Sequence, residues 1–201
     1  MNRDTHTTAD LAQLASTCVD YVKRSLGVEL DFSQDTLPLL DHYLREAVAD
    51  ARREGRDVSV LGPLVPVAGA YFGEVVGHQF GSVHFHAPGE DYANYRVEFR
   101  DCFLHFNPLG IAHEVLLAAD APGWHAHFAT LDEAQPVVEQ SLASGLALSE
   151  RDYYSFSVRY ETLEQLVAVL RALEEQRKGR PRHFPHEVYE SALGALAPNK
   201  S

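Results

Sequence analysis

The stretch that decides the fold is LVPVAGAYFGEVVGHQF, residues 64–80. It is apolar on nearly every side, and a helix of that kind is expected in the middle of a domain. Glycine recurs at every fourth position, at Gly69, Gly73, Gly77 and Gly81. Because each glycine costs about 1 kcal/mol of helix propensity relative to alanine, the stripe predicts a compensating contact, most simply a second backbone packed very close.

The sequence on either side of this helix predicts an α+β domain with three N-terminal helices, a small antiparallel sheet and flanking C-terminal helices. Two amphipathic helices, residues 8–26 and 34–54, precede it, and we expect them to pair with each other. From residue 82 to residue 106 the apolar period changes to two, which predicts an antiparallel meander. The alternation turns Val83 and Phe85 inward.

The rest of the chain predicts a mixture of helices and strands. Further helices are expected at residues 108–119, at 131–144 after the capping box of Thr130 and Glu133, and from Thr162 to about Gly179. Strands are expected at 124–129 and 152–160. We expect one domain over residues 1–179. Residues 180–201 form a basic, proline-containing tail with a short peripheral helix near its end.

Composition excludes several classes of protein. The 201 residues carry a net charge of −12, which argues against a nucleic-acid binder and against a polybasic membrane anchor. No apolar run is long enough to span a bilayer, and the N-terminus lacks the apolar core of a secretory signal. With two cysteines and no disulfide framework, the expected location is the cytoplasm. The sequence leaves open whether the protein forms a homo-oligomer.

Two short motifs carry a resemblance to a family. Gly69, Tyr71, Gly73 and Glu74 form a Gly-Ala-Tyr-x-Gly-Glu helix, and Asn107-Pro108 follows the predicted sheet. This arrangement resembles an uncharacterised family of small bacterial domains of unknown function, over about residues 60–120. The family usually has a tryptophan in the first strand, where this chain has Val83-His84-Phe85. The resemblance implies a fold and transfers no catalytic residue.

The histidines of the predicted sheet suggest a metal site as one alternative. His84, His86 and Glu90 match H-x-H-x3-E, which resembles the first metal motif of cupins, and His105 lies on another predicted strand. However, the alternation that turns Phe85 inward places His84 and His86 on the outer, solvated face. We therefore expect no metal, no cofactor and no catalytic residue.

The remaining candidates for chemistry point the same way. Tyr71, Glu74 and His78 share one helix face, and we expect Glu74 to tie its helix to the sheet or to a backbone amide. Cys18 is expected to be a core thiol, and Cys102 lacks the basic surroundings of a nucleophile. Motifs for a nucleotide loop or a serine nucleophile are missing from the sequence.

The charge distribution suggests the function. Residues 61–150 hold 11 acidic side chains and only two basic ones. A field of one sign steers partners of the opposite sign. The prediction is a non-enzymatic, protein-binding domain of immunity or adaptor type that takes a basic protein partner at Glu90, Asp91 and Asp101. The alternative is a metal-dependent enzyme that uses the histidines.

Overall fold

A computed structural model describes residues 3–89, 91–143, 150–177 and 179–196. Its helices are α1 (Arg3–Leu26), α2 (Leu37–Arg53), α3 (Leu64–Phe80), α4 (Pro108–Leu117), α5 (Gln135–Ala143), α6 (Glu150–Tyr153), α7 (Phe156–Gln176) and α8 (His186–Leu196). Its strands are β1 (Val83–His86), β2 (Arg96–Phe99), β3 (Leu104–Phe106) and β4 (Ala129–Thr130). The α+β architecture predicted from the sequence is confirmed.

Helix α3 lies in the middle of the domain, as its composition predicts. Tyr71, Phe72 and Val75 have no exposed surface. Helix α1 packs mainly along α3 and touches α2 less, so the predicted pairing of the first two helices exists only as a minor contact. A central helix that is apolar all round offers more surface for burial than the single apolar face of α2 does.

The four strands form one antiparallel sheet in the order β1-β2-β3-β4. The inner face carries Val97, Phe99 and Phe106, all fully buried, and the ring of Phe85 lies against α3 beside Gly73. Only Ala129–Thr130 pairs as β4, so the strand predicted at 124–129 is mostly wrong.

The segment 152–160, predicted as a strand, is helical, and two caps explain the difference. The Ser155 side chain accepts a hydrogen bond from the Val158 N–H and caps α7. The buried Asp41 of α2 accepts hydrogen bonds from the N–H groups of Phe156 (2.7 Å) and Ser157 (3.1 Å). A carboxylate is favourable at a helix N-terminus because the first N–H groups have no partner within the helix.

Two other helices also differ from the prediction. Residues Leu131 to Ala134 form a turn and α5 begins at Gln135, so the predicted capping box does not start a helix. Helix α8, expected to be peripheral, covers the outer face of the sheet. Its Tyr189 is fully buried and donates a hydrogen bond to the Phe99 carbonyl.

Candidate functional site

The two signature motifs of the sequence form a single packing unit. A Cβ atom added to Gly69 would lie 2.6 Å from the Leu109 Cα, so α3 approaches the backbone of α4 at this point. At Gly73 the nearest neighbours are the Phe85 ring and the Pro108 side chain. The predicted close backbone contact therefore exists at Gly69. Gly73 and Gly77 instead face the aromatic ring of Phe85. Gly81 caps the end of the helix in a left-handed conformation.

Asn107 connects this unit to the segment between β1 and β2. Its side-chain oxygen accepts hydrogen bonds from the N–H groups of Leu109 and Gly110, which caps α4. Its amide group donates to the carbonyl oxygens of Tyr92 (2.8 Å) and Ala93 (3.0 Å). One fully buried side chain thus starts a helix and holds a connecting loop.

Tyr71 and Glu74 of the signature do not act together. The Tyr71 hydroxyl accepts a hydrogen bond from the Phe32 N–H and shares another with Thr36. Glu74 Oε2 lies 3.9 Å from His78 Nε2 on the same helix, which differs from the expected link to the sheet or to a backbone amide. Burial raises the pKa of the Glu74 carboxyl.

The loop that Asn107 holds forms one side of a groove. The groove encloses about 450 Å³ between α1 and the connection from β1 to β2. It is lined by Asp10, Leu11, Gln13 and Leu14 on one side and by Gly89, Tyr92 and Tyr95 on the other. The rings of Tyr92 and Tyr95 meet edge to face at 5.4 Å, and the Tyr95 hydroxyl donates to the Gly89 carbonyl (2.6 Å).

One acidic residue lines this groove and another is adjacent in sequence to its lining. Asp10 is exposed on α1, and Asp91 caps the short 3-10 turn Tyr92–Asn94 by accepting from the Ala93 N–H. Burial raises the pKa of the Tyr95 phenol, and the nearby Tyr92 and Asp10 raise it further. The Asp10 carboxylate therefore acts electrostatically on the groove wall.

The predicted partner residues do not form one patch. Asp91 precedes β2 and Asp101 follows it, so about 13 Å of extended strand separates them. Asp101 is paired with Arg171 of α7 at 2.7 Å. Glu90 lies outside the described residues. Asp91 is thus the described member of the predicted set that is adjacent in sequence to a groove residue, Tyr92.

The predicted histidine pair lies beneath α8, not in solvent. Cross-strand pairing sets His84 beside Glu98 and His86 beside Arg96. The ring of His186, at the start of α8, lies 5.0 Å from the His84 ring and 4.7 Å from the His86 ring. The predicted alternation of the strand is right, but no local pattern in the sequence indicates that α8 covers this face.

Glu98 is the centre of this histidine cluster. Its side chain is only 1% exposed. One carboxylate oxygen accepts a hydrogen bond from Arg96 Nε (3.0 Å), and the other lies 2.8 Å from His186 Nδ1. Arg96 also contacts Glu190 of α8. A buried carboxylate needs such partners, because removing an ion from water without compensation is very costly.

Burial changes the charge state of the neighbouring histidines. It lowers the pKa of His86, and the Arg96 and His186 charges lower it further. It lowers the pKa of His105 to about 4, so that imidazole is neutral at physiological pH. The His105 ring lies beside the Phe103 and Tyr189 rings.

Two sets of three side chains in the cluster have ligand atoms within 4.8 Å of one another. One set is His84, Glu98 and His186, and the other is His86, His186 and Glu190. The predicted metal set joined His84, His86, Glu90 and His105. Sequence reasoning missed Glu98 and His186, because α8 lies far along the chain and its docking has no local signal.

Both cysteines are free and buried. Burial raises the pKa values of Cys18 and Cys102 to about 12. Because the thiolate is the nucleophilic form, neither residue is activated for catalysis.

Comparison with known proteins gives no relative. No family model matches the sequence, and no curated protein or solved structure is similar to it. Of the helices that the structure describes, none combines the length and the apolar character needed to cross a membrane.

Proposed function

We propose that this protein is a non-enzymatic, cytoplasmic protein-binding domain of immunity or adaptor type, which captures a basic partner. The observation that carries the proposal is the groove lined by Asp10, Tyr92 and Tyr95. We also propose membership of the bacterial domain family that the signature motifs resemble. In this reading the signature residue Asn107 serves the groove by holding the loop that bears the tyrosines.

Tyrosine in a groove is well suited to protein recognition. Tyrosine and tryptophan are enriched among the residues that dominate binding energy, because they bury a large area with few rotatable bonds. Tyr92 is partly exposed, and Tyr95, which is buried behind it, fixes its ring. A partner side chain with an apolar stem and a cationic end, such as arginine or lysine, fits a tyrosine wall with a carboxylate at the rim.

The ion pairs of the fold leave the net negative charge of the chain unchanged. Within the described residues they engage Lys23, Arg53, Arg56, Arg96, Arg159, Arg171, Arg177 and Arg182. Each ion pair cancels one positive and one negative charge, so the chain as a whole keeps its excess of 12 negative charges. The field of this excess charge favours approach of a basic surface.

The test is affinity capture from a lysate of the source cell at low and high salt, with the partner identified by mass spectrometry. Four proteins are compared: the wild type, Asp10→Lys, Tyr92→Ala, and Asp20→Lys as a matched control. Asp10 and Asp20 are both exposed on α1, and about 15 Å of helix separates them. The two lysine variants make the same change in net charge.

We expect one basic protein to be enriched by the wild type and by Asp20→Lys, and to be lost with Asp10→Lys. Tyr92→Ala should also lose it, since the ring wall is removed. Circular dichroism checks that every variant is folded. No enriched protein at low salt, or equal loss with both lysine variants, would contradict a binding site in this groove.

A further inference from the structure

The half-buried histidine cluster offers three metal ligands from three separate elements. His84 comes from β1, Glu98 from β2 and His186 from α8. We propose that these three side chains bind one divalent transition-metal ion of the Zn²⁺ class, and that the ion fastens α8 to the sheet. Tyr95 of the groove has extended backbone and directly precedes Arg96, the first residue of β2. Because successive side chains of an extended segment point to opposite sides, this site and the groove lie on opposite faces of the sheet.

The donor set suits such an ion. Two imidazole nitrogens and one carboxylate oxygen form a common three-residue zinc set, in which the fourth position takes water or another ligand. Zinc bonds of about 2.0–2.2 Å place neighbouring ligand atoms roughly 3.3–3.5 Å apart. The three ligand atoms already lie within 4.8 Å of one another, so binding requires shifts of side chains and not of strands. The ion replaces any proton that His186 Nδ1 shares with Glu98.

Arg96 determines which oxygen of Glu98 is available. Its guanidinium donates to Oε1 and leaves Oε2 facing His186 Nδ1 at 2.8 Å. An outer partner that orients a metal-binding carboxylate in this way is a regular feature of metal sites. The positive charge of Arg96 opposes a cation, but Glu98 and Glu190 both neutralise it.

The contacts of Arg96 also distinguish between the two possible sets of metal ligands. In the set of His86, His186 and Glu190, the Glu190 oxygen that faces His186 Nε2, at 3.9 Å, also contacts Arg96. Glu190 is half exposed, whereas Glu98 is buried. A cation is attracted more strongly to a carboxylate in a low-dielectric site than to one in water. The set that contains Glu98 is therefore the one we assign.

The experiment uses the full-length protein without a histidine tag, stripped with a chelator and then dialysed. Co²⁺ is titrated and followed by its visible d–d absorption, and Zn²⁺ is titrated by calorimetry. The variants are His84→Ala, His186→Ala and Glu98→Gln. His86→Ala tests the second set, and His42→Ala, an exposed histidine on α2, controls for adventitious binding. Thermal melting and hydrogen exchange of α8, with and without Zn²⁺, provide a second readout.

We expect one equivalent of Co²⁺ or Zn²⁺ in the wild type, and a melting temperature that rises with Zn²⁺ concentration. His84→Ala, His186→Ala and Glu98→Gln should each lower affinity about tenfold or more. His86→Ala and His42→Ala should keep it, and Zn²⁺ should slow exchange in α8 of the wild type but not of His84→Ala. The proposal is overturned if the folded wild type binds no metal, if His84→Ala binds as the wild type does, or if His86→Ala loses as much affinity as His84→Ala.

Discussion

Replacing Gly69 by alanine tests the close approach of α3 and α4. The added Cβ would lie 2.6 Å from the Leu109 Cα and 2.9 Å from the Pro108 carbonyl oxygen. These are backbone atoms, which cannot rotate away as a side chain can. Overpacking of this kind costs about 1–3 kcal/mol, and the backbone contact places Gly69→Ala at the upper end. Alanine also gains about 1 kcal/mol of helix propensity, which leaves a net loss of about 2 kcal/mol.

Gly77→Ala is the matched control for this substitution. It lies two turns further along the same helix, and its added Cβ would lie 3.4 Å from the Phe85 ring, an ordinary contact. We expect this variant to gain up to about 1 kcal/mol. In a domain of this size about 2–4 °C of melting temperature corresponds to 1 kcal/mol, so Gly69→Ala should melt about 4–8 °C below the wild type and Gly77→Ala slightly above it.

Urea unfolding followed by circular dichroism gives both free energies, and an unchanged m-value shows that the unfolded state is the same. If Gly69→Ala is as stable as the wild type, or if both variants lose the same free energy, then α3 does not need glycine for a backbone contact at Gly69.

Three further substitutions test buried contacts by urea unfolding. Arg159→Ala leaves the buried Glu114 without its ion-pair partner, and should cost about 3–5 kcal/mol; a loss below about 1 kcal/mol would show that the pair is not buried. Tyr189→Phe removes the hydroxyl that bonds the Phe99 carbonyl, and should cost about 1–3 kcal/mol, whereas wild-type stability would mean that water replaces the bond. Arg182→Gln tests pH dependence. Arg182 lowers the pKa of Glu174 below its usual value near 4.5, so the pair stabilises the fold above that pH and less as the pH falls through the lowered pKa. The gap between Arg182→Gln and the wild type should therefore be largest at pH 7 and shrink below about pH 4.5, and a gap that grows in acid would contradict the assignment.

The parts of the fold that the sequence predicts correctly are those with strong local signals. Residues 64–80 form the central helix because the segment is apolar all round and ends at Gly81, which adopts the left-handed conformation that glycine tolerates. Asn107 and Pro108 start α4 because asparagine is a good cap and proline fits the first turn. Both motifs need only neighbouring residues to determine their structure.

The secondary structure is predicted wrongly where residues far away in sequence determine it. Residues 152–160 alternate in polarity, which predicts a strand. Two residues far away in sequence favour a helix instead: Asp41 caps the start of α7, and Glu114 forms an ion pair with Arg159 of α7. The period of Phe156, Tyr160 and Leu163, all buried, continues the pattern of α7 and was the local signal that could have shown the helix.

The histidine cluster had no such signal. Glu98 and His186 are 88 positions apart, and their contact depends on how α8 docks. Alternation alone predicts solvent exposure of His84 and His86, because it determines the face of a strand on which a side chain lies but not what covers that face.

The most direct test of the proposed function is the rate at which the protein associates with its captured partner, measured by stopped flow over a range of NaCl concentrations. We predict that the wild-type rate falls steeply as salt rises, because screening shortens the reach of the charges to about 8 Å at physiological ionic strength. Asp10→Lys should associate more slowly at low salt and approach the wild type at high salt, while Asp20→Lys stays close to the wild type throughout. An association rate that does not depend on salt, or an equal effect of the two substitutions, would contradict electrostatic capture at the Asp10–Tyr92 groove.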